Sequence, residues 1–179
     1  MTSVKAVIFD VYETLVPNGP DLWLGSFREV CCLQDLSTEP QELWDRWITI
    51  ERKFRHRRLN EETMELSQPF ESYEEAWNDC FRQVFLEMGL SGDPEEATRL
   101  CIQRLGQRPI YPDALPTLDG LYGRLRMGIL SNSDASFFYP LLKYHGIGPQ
   151  FAAVLCSEDA QAYKPHPSLF RQLLKRLGV

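Results

Sequence analysis

The stretch Val4-Lys5-Ala6-Val7-Ile8-Phe9-Asp10-Val11-Tyr12-Glu13-Thr14-Leu15 constrains the fold more than any other. Its apolar run rises through Phe9, stops at a carboxylate, and soon meets the turn-formers Pro17, Asn18 and Gly19. A run of Val, Ile and Phe bounded by turn signals reads as a strand buried on both faces. In open α/β sheets ligands bind beyond the carboxyl ends of the strands, which is where Asp10 falls. Asp10 either ends a strand and does nothing more, or it opens a site.

From about Leu22 to Leu105 the periodicity is helical and no strand is apparent. Leu43, Trp47, Ile50 and Phe54 follow one helix face, and Ser72 with Glu75 is a capping box whose helix stops at Gly89. Pro94, just after Asp93, takes a first helical position. Residues 17–109 therefore read as an all-helical insertion, and residues 1–16 with 110–179 as the α/β core that carries it. In the core a helix is expected over 114–125, a strand over 126–131 and a helix over 136–145 closed by Gly146. A short strand over 153–156, a polar loop over 157–164 and a last helix ending at Gly178 follow. Strands alternating with helices make a parallel sheet. Each strand leads into a polar cluster, at Asp10, at Ser131-Asn132 and in the loop ending at Lys164, so the three clusters belong to one edge of the sheet.

Composition excludes several classes. The 179 residues are 44% hydrophobic and 25% charged with a net charge of −6, as in an ordinary globular protein, and the negative sign argues against nucleic-acid binding. The basic run from Arg52 to Arg58 reads as a solvated helix face. No apolar run approaches the roughly 18 residues of a membrane span. The N-terminus enters a strand pattern at once, leaving no room for a signal peptide, so a cytoplasmic location is expected. Cys31, Cys32, Cys80, Cys101 and Cys156 are odd in number and lack C-x-x-C spacing, which reads as buried free thiols in a reducing compartment. Trp23, Trp44, Trp47 and Trp77 read as core of the helical insertion, His145 as a helix C-cap, and His166 as part of a structural turn.

A carboxylate, a hydroxyl and an ammonium on one edge make a workable site for covalent catalysis with Asp10 as nucleophile. An anionic substrate approaching Asp10 is repelled by about 4 kcal/mol at about 4 Å and an effective dielectric near 20. Lys164 offsets that repulsion, while Ser131 and the backbone N–H groups after it can hydrogen-bond substrate oxygens. Asp10-x-Tyr12-x-Thr14-Leu15, the strand ending in Ser131-Asn132, and Lys164-Pro165 together resemble motifs one, two and three of the haloacid dehalogenase superfamily of hydrolases. The helical insertion resembles that superfamily's cap domain. The resemblance implies a Rossmann-like core, Asp10 as nucleophile, and Tyr12, Thr14, Ser131, Asn132 and Lys164 around it. It also implies a small anionic substrate, either a phosphate monoester or a 2-haloacid.

Two departures bear on chemistry. Phosphatases of the family carry a second aspartate two residues after the nucleophile, where this chain has Tyr12. A tyrosine with a pKa of about 10 is a poor proton donor at neutral pH. Tyr12 and the run Gln161-Ala162-Tyr163-Lys164-Pro165 resemble instead the family's 2-haloacid dehalogenases, which need no metal. Those enzymes grip the substrate with a cap arginine after a Leu-Trp pair; here Leu43-Trp44 is followed by Asp45, with Arg46 one residue on. In a magnesium-dependent phosphatase, Asp10 and the backbone carbonyl of Tyr12 would hold Mg²⁺. The second departure is the family's acidic fourth motif, which has no counterpart before Val179, so the core reads as truncated, with Asp134, Glu158 and Asp159 the nearest carboxylates. A catalytically inactive member with a binding role, or none, is the rival expectation.

Overall fold

The computed structural model describes residues 4–60 and 62–179. In chain order the elements are β1 (Ala6–Phe9), α1 (Pro20–Leu33), α2 (Pro40–Arg57), α3 (Tyr73–Met88), α4 (Pro94–Leu105), α5 (Ala114–Leu121), β2 (Arg126–Ser131), α6 (Ala135–Tyr144), β3 (Ala153–Cys156), α7 (Ser157–Ala160) and α8 (Pro167–Leu177). They fall into two compact units, Met1–Asn18 with Gly106–Val179, and Gly19–Leu105.

The first unit is α/β. Its three described strands run parallel in the order β1-β2-β3, with Phe9 opposite Ile129 and Ser131 opposite Cys156. Alternation along β2 explains the layering. Met127 and Ile129 face a cluster with Leu118 of α5 and Phe138 and Leu141 of α6, while Leu130 faces Leu169, Leu173 and Leu177 of α8. Helices thus cover both faces. Gly128 lets α8 approach, because a Cβ there would lie 3.0 Å from Leu177 Cδ1.

Three local expectations are corrected. β1 is half-buried rather than buried on both faces, because among the described residues it lies at an edge of the sheet. The helix expected over 114–125 ends at Leu121, with Gly123 in the left-handed region at φ 75°. The polar loop after β3 contains the one-turn helix α7.

The second unit is α1–α4. Its core is aromatic: the Trp23 ring lies 5.4–5.6 Å from those of Trp44, Trp47 and Trp77, and Phe27 and Phe81 join them. Each such pair contributes about 0.5–1.5 kcal/mol beyond the area it buries. The Ser72–Glu75 capping box forms as read, and Gly89 closes α3 at φ 64°. Glu51, 1% exposed, accepts from Trp77 Nε1 at 3.4 Å and from Arg55 Nε at 2.5 Å. Arg57 pairs with Glu71 at 3.5 Å and Arg58 donates to Tyr73, so part of the basic run is tied to its own unit. No described helix is long and apolar enough to cross a membrane. The five cysteines are free, and all but Cys32 are buried.

Candidate active site

β1 delivers Asp10 to the carboxyl edge of the sheet, where the side chain is 45% exposed. One carboxylate oxygen, Oδ1, accepts the amide of Val11 at 2.7 Å. The other, Oδ2, lies 2.7 Å from Lys164 Nζ. The ammonium also donates to the main-chain carbonyl of Leu130 in β2 at 2.9 Å. A lysine from the loop before α8 is thereby fixed between the ends of two strands.

Asn132 supplies the fixing. Its Nδ2 donates to the Lys164 carbonyl at 3.2 Å and its Oδ1 accepts the Lys164 amide at 2.7 Å. Asn132, expected at the substrate, has its side chain hydrogen-bonded to the main chain of Lys164. Ser131 is wholly buried, and its hydroxyl has no hydrogen-bond partner among the described residues.

The turn after β2 is held from α7, directly after β3. The buried Ser157 hydroxyl donates to the Ser133 carbonyl at 2.9 Å and accepts the Ser133 amide at 3.0 Å. Glu158 accepts the Ala135 amide at the start of α6 at 2.7 Å, where a carboxylate is favoured by the helix dipole. Asp159 accepts the Tyr139 hydroxyl. Both acidic residues therefore serve this junction, and Asp134 is 1% exposed.

After Asp10 the chain winds tightly. The amides of Thr14, Leu15 and Val16 all converge on the Val11 carbonyl, at 3.2, 2.7 and 3.1 Å. Thr14 is exposed, and Tyr12 is half-buried with its ring 5.9 Å from that of Phe137. Burial pushes the Tyr12 phenol well above its ordinary range, with Arg108 opposing the shift and Asp134 adding to it. Arg108 is 5% exposed and had no sequence signal: one arginine between Gln107 and Pro109 looks like surface. Arg46 belongs to the helical unit, where it pairs with Glu42 at 3.0 Å and is half-exposed.

Mg²⁺ demands a near-octahedral shell of oxygens. Among the described residues no group of three or more His, Cys, Asp or Glu is placed to hold a metal. Both Asp10 oxygens are engaged, and Glu158 and Asp159 are committed to α6.

The haloacid dehalogenase-like hydrolase family model matches residues 4–179. A phosphoglycolate phosphatase of Salmonella typhi is 23% identical over 203 aligned positions, covering 100% of this chain and 71% of that protein. Haloacetate dehalogenase H-2 of Moraxella sp. (strain B) is 28% identical over 108 positions, covering 60% of this chain and 48% of its own. Among solved structures, the HAD-hydrolase YfnB of Bacillus subtilis superposes with a TM-score of 0.75 at 19% identity, covering 98% of this chain and 73% of that one. The L-2-haloacid dehalogenase of Xanthobacter autotrophicus, with chloropropionic acid covalently bound, gives 0.71 at 20% identity, covering 99% and 66%. These likenesses show the same fold.

Proposed function

The chain belongs to the haloacid dehalogenase-like hydrolases, and from that premise we propose that it hydrolyses a small carboxylic acid bearing a leaving group at C2, through an ester on Asp10. Phosphoglycolate and haloacetate, named in its relatives, are both two-carbon acids substituted at that carbon. The observation that carries the reading is the Lys164–Asp10 contact at 2.7 Å on a strand end open to solvent. Lys164 offsets the repulsion of an arriving carboxylate.

Tyr12 favours a halide over a phosphate leaving group. In the first step an Asp10 oxygen bonds to C2 as the carbon–halogen bond breaks, and halide departs with the electron pair. Water then adds to the Asp10 carbonyl carbon, releasing the hydroxy acid, a proton and the free carboxylate. No proton need reach the leaving group in the first step. A phosphate monoester expels an alkoxide that does need one, and a phenol raised by burial donates poorly at neutral pH. Free cysteines are in keeping with a cytoplasmic enzyme.

The test is halide release from chloroacetate and 2-chloropropionate beside phosphate release from phosphoglycolate with Mg²⁺. Halide release, an acid-quenched adduct on Asp10, and loss of both in Asp10→Asn are expected. Phosphate release alone would overturn the halide preference. Silence on all substrates would favour a non-catalytic member.

A further inference from the structure

Glu13 occupies the left-handed region at φ 62°, three residues past the nucleophile. Side chains with a Cβ are strained there, and glycine is the residue the backbone itself would favour. A glutamate in that place calls for a reason in its side chain. The reason is geometric. One carboxylate oxygen accepts the amide of Asn18, and the other accepts the Tyr111 hydroxyl at 3.3 Å. Alongside, the Tyr111 amide donates to the Leu15 carbonyl at 2.9 Å, and the Glu13 amide to the Val16 carbonyl at 2.7 Å. Asn18 is the last residue before the chain enters the helical unit, and Tyr111 lies shortly after its return at Gly106. A single carboxylate thus fastens the outgoing and returning passages to the turn that carries Tyr12 and Thr14.

We propose that Glu13 is a positioning residue whose carboxylate latches the Tyr12–Thr14 turn to Asn18 and Tyr111, keeping Tyr12 and Thr14 in register with Asp10. The inference rests on the reading of Tyr12 and Thr14 as site residues. It makes the turn after β1 rigid through a contact distant in sequence, where its own hydrogen bonds close only a local loop. The Tyr111 phenol, held above its ordinary range by burial and then by Glu13, provides a spectroscopic reporter of the latch.

The experiment compares the full chain with Glu13→Gly, Glu13→Gln and Tyr111→Phe, reading amide exchange over residues 11–18, tyrosine titration, and kcat and KM on chloroacetate. Glu13→Gly suits the backbone yet removes the latch. It is expected to speed exchange at Asn18 by about tenfold or more and to lower the Tyr111 pKa toward its ordinary range. It is also expected to reduce kcat about tenfold while KM moves less than about twofold. Tyr111→Phe, which leaves the turn untouched, should show the same pattern more weakly, and Glu13→Gln, which keeps an acceptor oxygen, should recover most of the rate. Unchanged exchange, or faster exchange with unchanged kcat, in an active chain overturns the latch alone. A wild-type chain inert toward haloacids and phosphate esters alike removes the reaction and overturns both readings together.

Discussion

The side-chain amide of Asn132 holds the main chain of Lys164 from both sides, donating to its carbonyl and accepting from its amide. The lysine that meets Asp10 is therefore placed by a residue that follows β2, one position after Ser131. Removing the amide in Asn132→Ala loses two hydrogen bonds of about 1 kcal/mol each and frees the loop before α8. The expected result is a fall in kcat of roughly 10- to 100-fold, from misplacement of Nζ rather than loss of a substrate contact. Steady-state halide release checks it, and a kcat equal to wild type would mean that Lys164 keeps its place without Asn132.

Tyr12 gives a sharper division between leaving groups. A general acid contributes about 10²- to 10⁴-fold. Tyr12→Phe should therefore change halide release by less than about tenfold, since no proton is required for halide to leave. A loss of a hundredfold or more in that assay would show that the phenol takes part in the chemistry.

The helical unit should weaken in acid. Hydrogen bonds from the Ser72 amide and hydroxyl hold Glu75 below the usual carboxylate range, and Arg104 does the same for Glu29. Groups whose folded pKa is depressed contribute stability above the unfolded value of about 4.3, and lose it as pH falls through the folded value. All four tryptophans lie between Trp23 and Trp77, so their fluorescence reports this unit. The urea midpoint by tryptophan fluorescence should drop as pH falls below about 4.3, less steeply in Glu75→Gln. Ser72→Ala should cost about 1 kcal/mol near neutral pH.

Gly128 sets the distance of α8 from the sheet. Gly128→Val places methyl groups beyond a Cβ that already meets Leu177 Cδ1 at 3.0 Å. Overpacking of this kind costs about 1–3 kcal/mol. Thermal unfolding followed by far-UV circular dichroism should show the loss, and a melting temperature equal to wild type would mean that α8 shifts freely.

What the sequence made legible was local and strongly patterned. Ser72 and Glu75 announced their own helix start, and β2 and β3 appear at the residues their apolar runs mark. Asp10 and Lys164, 154 positions apart in the chain, come together on the argument that all three strands of a parallel sheet end at one edge, and the structure pairs them. The rest depends on partners distant in sequence. Asn132 carries an amide that suits a ligand or a backbone equally, and only folding puts Lys164 against it. Arg108 is buried by tertiary packing that no period-based reading detects. The half-burial of β1 depends on which strands flank it, which its own residues do not encode.

In the ester mechanism proposed above, the second contact of Lys164, with the Leu130 carbonyl, would acquire its meaning once Asp10 had reacted. An ester at Asp10 carries no charge, so the ionic attraction that holds Nζ there in the resting protein disappears. The carbonyl of a central strand does not change during the cycle, and Leu130 is itself held opposite Leu155 of β3. The ammonium can stay in place while its counter-ion changes, from the nucleophile to the departing halide or the carboxylate of the bound acid. In that proposed mechanism, backbone tethering would make one lysine a stationary positive pole for successive anions, with no side-chain movement needed between the two halves of the reaction.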